Sequence, residues 1–425
     1  MLDIKLIRTE PDLVKAAIKK REMDLDAVVD DILKIDVERR EVTGKVEAKK
    51  AEQNAATKQI PVMKKEGKDV SALMAQMKAL SAEIKEFDAE LGKLEDRQKE
   101  LMLSLPNLPD EDVVAGGKEQ NVPVRYFKEK PVFDFEMKNH VDLCENLGMI
   151  DYQRGAKIAG NGAWLYRGWG ARMEWALLNF FVNEHLGDGY ELILPPHMLN
   201  YECGYVAGQF PKFGDEVYWI QNPTSADRKF MLPTAETALV NVHRDEILTE
   251  DELPRKYIAY TPCYRREAGS YRAEERGMIR GHQFNKVEMV QYTTPEGSDA
   301  AFEEMVGKAE RLVQELGLHY RLSKLAAGDC SFSMARTYDI EVWIPSMGIY
   351  KEVSSASNAR DYQARRGNVK YRGADKKLHF AHTLNASGLA TSRIMPAIVE
   401  QYQNADGSVT VPEVLRPYMG VDVIK

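Results

Sequence analysis

The segment that decides the fold is TPCYRREAGSYRAEERGMIRGHQFNKVE, which occupies residues 261–288. Its second half places Arg280, Phe284 and Glu288 four residues apart, so alternation along a strand puts all three on one face. Arg265 and Glu267 can share that face from the first half. The intervening residues 268–279 are rich in Gly, Arg and Glu, which is typical of a mobile loop. The segment therefore predicts a long antiparallel hairpin with one charged face.

The charged face of this hairpin suits a nucleotide. An arginine fork matches phosphate oxygens, a phenyl ring stacks on a purine, and a glutamate holds an ammonium group. A solvated hairpin with ion pairs across its strands would show the same residue types. The chain has no GxxxxGK[ST] loop and no strand-bound GxGxxG motif, so a phosphate site here would depend on arginines.

Together with two further motifs, the hairpin resembles the class II aminoacyl-tRNA synthetases, and among them the bacterial-type seryl-tRNA synthetases. Arg265-x-Glu267 with Arg280-x-x-x-Phe284 is similar to their second signature motif. HTLNASGLATSRIMPAIVEQYQ, residues 382–403, is similar to the third. A helical run at 170–185, followed by a short apolar strand and two prolines, is similar to the first. The resemblance covers nearly the whole chain. It implies an α+β fold, with a class II synthetase-like antiparallel sheet and flanking helices, preceded by an N-terminal antiparallel coiled-coil arm.

The resemblance also implies an activity and a set of site residues. The implied enzyme is an ATP-dependent serine–tRNA ligase that forms seryl-adenylate and transfers serine to tRNA(Ser), with tRNA(Sec) as a second candidate. The implied catalytic residues are Arg265, Arg280 and Arg393. The implied ATP-binding residues are Arg265, Arg266, Glu267, Arg280, Gly281, Phe284, Glu352, Val353, Ser354, Ser355 and Arg393. The implied serine-binding residues are Thr234, Ala235, Glu236, Arg265, Glu288, Asn385 and Ser387.

Two of these assignments have physical reasons of their own. Glu352 and Ser355 offer hard oxygen ligands, so they are the expected Mg²⁺ ligands beside the ATP phosphates. Thr234 and Glu236 offer a hydroxyl and a carboxylate to a small zwitterion, although the same residues could simply begin a helix with Thr234 as its N-cap.

Several residues depart from the family pattern, among them Thr237, where Val is common, and Ala356 and Ala359, where Cys is common. Arg266 stands where Ser is usual, Gly281 where Val is usual, and Ala386 and Ser392 where Gly is usual. The turnover rate, the tightness of the adenine pocket and the choice between serine and a close analogue are therefore left open.

A heptad pattern predicts the arm. The apolar residues Leu73, Met77, Leu80, Ile84, Phe87, Leu91 and Leu94 alternate in steps of four and three. Residues 32–56 supply a weaker apolar partner seam, interrupted by Arg39, and a reversal near 61–67 would close an antiparallel hairpin over about 30–103. The prolines of residues 104–110 predict a linker, which divides the chain into domains at 1–108 and 109–425. An ordinary dimerising coiled coil is the alternative.

Charge distribution favours RNA as the partner of this arm. The 425-residue chain has a net charge of −8, which does not attract RNA over its whole surface. Residues 43–68, however, contain seven lysines and three glutamates, a local charge of +4. The predicted tRNA-binding lysines are Lys45, Lys49, Lys50, Lys58, Lys64 and Lys65.

Other features restrict location and assembly. An apolar run of membrane-spanning length is missing, and the first residues are too acidic for a signal peptide, so we expect a cytoplasmic protein without a membrane partner. The four cysteines lie far apart and show no zinc-ligand spacing, so neither zinc nor disulfides are expected. We expect a homodimer formed through 170–196, where Leu177, Phe180 and Phe181 need burial; burial inside the protomer is the alternative.

Two other functions stay open at this point. One is a serine-activating ligase that loads a carrier protein or makes a metabolite, which an intact basic arm argues against. The other is an inactive RNA-binding or scaffold protein, which the joint presence of Arg265, Glu267, Arg280, Glu352 and Arg393 argues against.

Overall fold

The computed structural model describes residues 1–221, 228–267 and 277–425. The chain divides into two compact units. One unit consists of Leu2–Lys19 and Met23–Pro106, and the other of Met1, Lys20–Glu22 and Asn107–Lys425.

The first unit is helical. It contains α1 (Ile4–Thr9), α2 (Pro11–Lys19), α3 (Asp26–Lys65) and α4 (Ser71–Leu103). Contacts between α3 and α4 pair Lys50 with Asp88 and Gln53 with Ser81, an order that makes the two helices antiparallel. All seven residues of the predicted seam on α4 are buried or half-buried. The coiled-coil arm predicted from the heptads is confirmed.

The arm differs from the prediction at its tip and in its seam. Helix α3 continues through Pro61 to Lys65, and the chain reverses at 66–70, because Gly67 adopts the left-handed φ of 70° that ends a helix. The buried polar residue of the seam is Asp36, which is 1% exposed, rather than Arg39. Burial opposes ionisation of Asp36, but hydrogen bonds from Arg8 and Arg39 lower its pKa to about 2.

The second unit is mixed. Its helices are α5 (His140–Asn146), α6 (Tyr152–Ala159), α7 (Gly168–Gly187), α8 (Tyr201–Ala207), α9 (Glu236–Leu239), α10 (Ser298–Glu315), α11 (Tyr362–Gly367), α12 (Thr391–Gln401) and α13 (Arg416–Met419). Its strands are β1 (Val122–Phe127), β2 (Ile150–Asp151), β3 (Leu165–Tyr166), β4 (Glu191–Leu192), β5 (Met198–Asn200), β6 (Trp219–Ile220), β7 (Lys229–Met231), β8 (Ile247–Thr249), β9 (Arg255–Tyr264), β10 (Gln283–Thr293), β11 (Tyr320–Lys324), β12 (Arg336–Ile344), β13 (Ile349–Asn358), β14 (Lys370–Arg372), β15 (Leu378–Phe380), β16 (His382–Ala390), β17 (Val409–Thr410) and β18 (Val423–Ile424).

An eight-stranded sheet organises this unit, in the order β1-β11-β12-β13-β16-β10-β9-β4. Every neighbouring pair is antiparallel except β4 with β9. The predicted hairpin is β9 and β10, paired from Gln283 and Tyr264 onward. Most of its predicted loop lies outside the described residues. The α+β fold class is confirmed.

Strand alternation separates the core from the site. On β10, Val287 and Met289 are fully buried in the main hydrophobic core, which also contains residues of α7, α10 and α12. Phe284, Lys286 and Glu288 alternate with them and line cavities on the other face of the sheet. The core thus holds the strand on one face while the other face remains available to a ligand.

The apolar residues expected at a dimer contact are buried inside the protomer. Leu177 and Phe181 are fully buried and Phe180 is 3% exposed, all within the main core, so the reason given for a dimer at these residues is wrong. Trp175 and Leu194 of the stretch 170–196 are exposed by 58% and 74%, and Met198, just beyond it, by 60%.

Among the helices of the described residues, none combines the length and the apolar character needed to cross a membrane.

Candidate active site

Two adjoining cavities lie on the open face of the sheet. The larger has a volume of about 780 Å³, within the range of small-molecule sites. The predicted residues that line it are Thr234, Glu236, Arg265, Arg280, Glu288, Glu352, Ser355, Asn385, Ser387 and Arg393. The smaller is lined by Arg265, Glu267, Arg280, Gly281, Phe284, Glu352, Val353, Ser387 and Arg393 among others. The fold therefore brings together residues that lie up to 159 positions apart in the sequence.

One end of the larger cavity is acidic, with Glu288 buried and Glu236 half-buried. Glu288 is 1% exposed and accepts hydrogen bonds from Thr234 at 3.3 Å and from Asn385 at 3.2 Å. Glu236 accepts from Gln363 at 2.8 Å and from the same Asn385 amide at 3.3 Å. The Oδ1 atom of Asn385 is buried and has no hydrogen-bond partner in the described part of the chain. This end offers two carboxylates, a hydroxyl and an amide acceptor to a small polar cation.

The neighbouring Glu288 carboxylate affects the ionisation of Glu236. Burial, and secondly the neighbouring Glu288 carboxylate, raise the pKa of Glu236 to about 7. Lys286 and Arg265 act in the opposite direction. A positively charged ligand would offset the negative charge of the two carboxylates, so the electrostatics of the pocket favour an ammonium group.

The other end carries the arginines and the phenyl ring. The Arg265 guanidinium lies over the Phe284 ring, 5.1 Å from its centroid, and donates to the Pro233 carbonyl at 3.3 Å. Arg280 donates from Nε to the Glu267 carboxylate at 2.7 Å. These contacts hold both guanidinium groups in defined positions on the cavity wall.

Arg393, at the start of α12, is held in the same way. It donates to the carbonyl oxygens of Glu352 at 2.8 Å and Ile279 at 3.2 Å. Its guanidinium also lies 3.5 Å from the Glu352 carboxylate. Arg393 therefore joins strand β13 to the turn that precedes β10, beside the smaller cavity.

Oxygen ligands for a divalent cation are present at the rim. The Glu352 side chain is 46% exposed to the cavity and solvent. Ser355 lies directly across from Asp339 on the neighbouring strand, and the buried Oδ1 of Asp339 has no hydrogen-bond partner among the described residues. These hard oxygens fit Mg²⁺ held jointly with phosphate oxygens and water. Within the described ranges, no group of three or more His, Cys, Asp or Glu side chains is arranged to hold a metal ion by itself.

Three predicted site residues do not line either cavity. Ala235 is fully buried in a hydrophobic cluster behind the pocket. Ser354 is fully buried and donates to the Ser387 carbonyl at 2.6 Å, so its hydroxyl braces β13 against β16. Arg266 is exposed and donates to the Asp215 carbonyl at 3.0 Å, because it faces away from its neighbours Arg265 and Glu267. For these side chains the structure shows supporting contacts rather than a place in the cavity wall.

The helix start expected at Thr234 is only partly correct. Helix α9 begins at Glu236 with Ala235 as its N-cap and no side-chain cap. The Thr234 hydroxyl does accept from the Glu236 backbone at 3.3 Å, but it also contacts Glu288 and Lys286 inside the pocket. The residue therefore serves the site as well as the turn.

Gly281, an unusual residue for its motif, is explained by a distant neighbour. A Cβ atom at this position would lie 2.6 Å from Cη2 of Trp164 and 2.8 Å from the Gly162 carbonyl oxygen. The indole ring of Trp164 therefore fills the space that a branched side chain would need. Ala386 is fully buried in the main core and Ser392 lines the smaller cavity, so neither departure leaves a gap in the site.

Lys286 and Gln363 are among the residues of the site that the sequence did not predict. Lys286 lines both cavities, and its place between Phe284 and Glu288 on the same strand face was a signal that could have found it. Gln363, on α11, orients Glu236 from a position 127 residues away. Only the tertiary structure shows that contact.

Named bacterial proteins are similar to this chain over its whole length. The chain is 60% identical over 425 residues to "Serine--tRNA ligase 2" of Clostridium acetobutylicum, covering 99% of this chain and 100% of that protein. The chain belongs to the seryl-tRNA synthetase family. It is also 46% identical over 428 residues to "Serine--tRNA ligase" of Fervidobacterium nodosum, covering 100% and 99% of the two chains. The family predicted from the motifs is confirmed.

Family models and a solved structure agree with this assignment. Residues 1–109 match the seryl-tRNA synthetase N-terminal domain, and 218–402 match the tRNA synthetase class II core domain (G, H, P, S and T). The crystal structure of seryl-tRNA synthetase from Pyrococcus horikoshii complexed with ATP superposes with a TM-score of 0.92 at 34% identity, covering 100% of this chain and 99% of that one. The protein is thus an aminoacyl-tRNA ligase of class II.

Proposed function

We propose that this protein is a serine–tRNA ligase, which activates L-serine with ATP and transfers it to tRNA(Ser), with tRNA(Sec) as a second candidate. The observation that carries the proposal is the pair of adjoining cavities, in which a buried carboxylate, a half-buried carboxylate and a hydroxyl adjoin three arginines and a phenyl ring. The relatives named serine–tRNA ligase and the Pyrococcus structure with ATP support the same substrates.

In the first step, a serine carboxylate oxygen attacks the α-phosphorus of ATP. An O–P bond forms, the bond from the α-phosphorus to the bridging oxygen breaks, and pyrophosphate leaves with that electron pair. We assign Arg265 to the α-phosphate and Arg280 and Arg393 to the outer phosphates, while Phe284 stacks on adenine. Thr234, Glu236, Glu288, Asn385 and Ser387 hold the serine zwitterion.

In the second step, a ribose hydroxyl at the tRNA 3′ end attacks the carbonyl carbon of seryl-adenylate. An ester bond forms, AMP leaves with the electrons of the broken C–O bond, and the hydroxyl proton passes to phosphate or solvent. The chain positions reactants and stabilises charge, and needs no covalent enzyme intermediate.

We assign Glu352 and Ser355 as Mg²⁺ ligands, with Asp339 beside them. Bound there, Mg²⁺ would neutralise charge on the phosphates. Val353 is 2% exposed and places the Glu352 backbone, whose carbonyl holds Arg393.

The basic arm is proposed to bind the tRNA backbone. Lys49 pairs with Glu83 at 2.9 Å and Lys50 with Asp88 at 3.0 Å, and Lys45 lies over the Phe87 ring. The lysines nearer the tip, Lys58, Lys64 and Lys65, are exposed. We therefore assign most of the phosphate contacts to the tip.

We also propose a cytoplasmic homodimer. Trp175 and Leu194 are exposed apolar side chains of the predicted stretch 170–196, and Met198 is exposed just beyond it; a dimer contact there would cover them. Sedimentation should show twice the 48.2 kDa chain mass, and Leu194→Glu should shift the species toward that chain mass. A wild-type monomer at micromolar concentration would contradict the dimer.

Serine-dependent exchange of pyrophosphate into ATP, followed by charging of transcribed tRNA(Ser), tests the proposal. Exchange with charging is the expected result. Exchange without charging would support a ligase that loads another acceptor, and no exchange would support an inactive RNA-binding protein. Arg265→Ala should abolish exchange, whereas the matched control Arg266→Ala should retain it, because the Arg266 side chain faces away from the cavity.

A further inference from the structure

Lys286 lies where the serine end and the phosphate end of the site meet. It is 6% exposed and lines both cavities. Its ammonium group is ion-paired with the Glu288 carboxylate and donates to the Thr234 hydroxyl at 2.9 Å. Both partners belong to the groups assigned to serine. The lysine therefore takes the position that the ammonium group of the substrate needs.

The partners of Glu288 leave little room for both ammonium groups. Its Oε1 accepts from Asn385 at 3.2 Å, and its Oε2 is shared by Thr234 and Lys286. Asn385 and Thr234 are short side chains on separate segments of the wall. Lys286 has a flexible four-carbon stem and also lines the smaller cavity, where Arg265 and Arg393 are assigned to the nucleotide. It is thus the partner that an incoming ammonium group can displace.

We propose that serine releases Lys286 for ATP. The substrate ammonium replaces Lys286 on Glu288, and the freed lysine turns into the smaller cavity and pairs with a nucleotide phosphate there. Serine binding thereby completes the phosphate site, and the two substrates bind with positive coupling. This inference rests on the serine–tRNA ligase function proposed above.

Binding measurements on the wild-type protein, with serine and two fragments of serine, test whether the substrate ammonium group releases Lys286 from Glu288. The affinity for a non-hydrolysable α,β-methylene ATP should rise at least about 5-fold with serine present. Serinol keeps the ammonium and lacks the carboxylate, so it should give a similar rise. 3-Hydroxypropionate lacks the ammonium and should give none. Equal effects of the two fragments, or no effect of serine, would overturn the proposal.

Two substitutions of Lys286 test whether its side chain couples the binding of serine and ATP. Lys286→Met should bind serine alone more tightly than wild type, because its competitor is gone, while it loses the coupling to the ATP analogue and most pyrophosphate exchange. Lys286→Arg should restore part of the coupling. Lys256→Met is the matched control, since Lys256 is also an ion-paired lysine of this sheet, bound to Glu304 at 2.8 Å and outside the cavities. Parallel loss of serine affinity and exchange in Lys286→Met would indicate a purely structural residue.

Failure of the two proposals can be told apart. If wild-type protein binds neither serine nor the ATP analogue, the serine–tRNA ligase proposal fails. If it binds both without coupling, Lys286 stays on Glu288 and only the release is wrong. If Lys286→Met does not fold, the comparison of serinol with 3-hydroxypropionate still decides.

Discussion

Glu236 should make the second unit less stable as the pH rises. Burial and Glu288 raise the pKa of this carboxyl from 4.5 to about 7. The folded protein therefore binds the Glu236 proton more tightly than the unfolded chain does, and stability falls as the pH rises from 4.5 through 7. The resulting loss in the free energy of unfolding reaches about 3 kcal/mol above pH 7. Below pH 4.5 there is no loss.

Glu236→Gln should remove this pH dependence. Glutamine keeps the shape of the protonated acid and stays neutral at every pH, so the variant should gain on wild type progressively between pH 4.5 and 7. Gln363 and Asn385 both donate to Glu236, so the new amide nitrogen faces a donor. That mismatch lowers stability by the same amount at every pH. The measured quantity is therefore the change with pH in the stability difference between variant and wild type.

Urea unfolding followed by tryptophan fluorescence supplies the measurement. All five tryptophans lie between residues 164 and 343, so the signal reports on the second unit. Glu296→Gln, an exposed substitution in the same unit, is the control and should run parallel to wild type. A Glu236→Gln curve that also stays parallel to wild type from pH 4.5 to 8 would refute the reasoning.

Serine should counteract the rise in the pKa of Glu236. Its ammonium group favours the ionised form of this carboxyl, so serine binding near pH 7 should release protons. Calorimetry in two buffers of different ionisation enthalpy measures that release. Glu236→Gln should release fewer protons than wild type.

Three further predictions concern the nucleotide, the motif departure and the arm. Phe284→Ala should raise the KM for ATP by the equivalent of about 1–3 kcal/mol with the fold intact, as kinetics and circular dichroism would show; an unchanged KM would remove the ring from the site. Gly281→Val should lower the free energy of unfolding by about 1–3 kcal/mol or more, because the valine side chain would clash with Trp164. Adding Trp164→Leu to the same chain should recover part of this loss in a urea melt. Additive effects of the two substitutions would contradict the clash. Replacing the exposed tip lysines by Gln should weaken tRNA binding, make it less dependent on salt and leave pyrophosphate exchange unchanged. Replacing the two ion-paired lysines should weaken tRNA binding less. Equal effects of the two sets would contradict the assignment of the phosphate contacts to the tip. The tip set is Lys58, Lys64 and Lys65, and the ion-paired set is Lys49 and Lys50.

Local periodicity accounts for the parts of the fold that were predicted well. The heptad seam of α4 and the strand alternation of β10 each depend on neighbours a few residues apart, so the sequence carries them directly. The reversal of the arm lies at the end of the predicted range 61–67, because Pro61 does not break the helix and the left-handed Gly67 ends it. The order of the eight strands and the burial of Phe181 in the protomer depend on contacts between distant segments, which periodicity does not contain.

The residues of the site also divide into those that local periodicity predicts and those that only contacts between distant segments reveal. Residues that alternate on one strand face are predictable as a group, and Lys286 shares the face of Phe284 and Glu288 although it lies between the motif positions. Gln363 has no such neighbour, since α11 reaches Glu236 only in the folded chain.

Gly281 shows why a departure from a family pattern cannot be judged one position at a time. Read alone, a glycine in place of valine suggests a looser adenine pocket. In the fold, the Trp164 ring occupies the volume that the valine would take, so the wall of the smaller cavity is filled from the other side. The two residues are separated by 117 positions, and the sequence of each is unremarkable without the other. If Gly281→Val is tolerated only when Trp164 is made smaller, the departure is one half of a compensated pair, and the packing density of the nucleotide pocket is retained despite it.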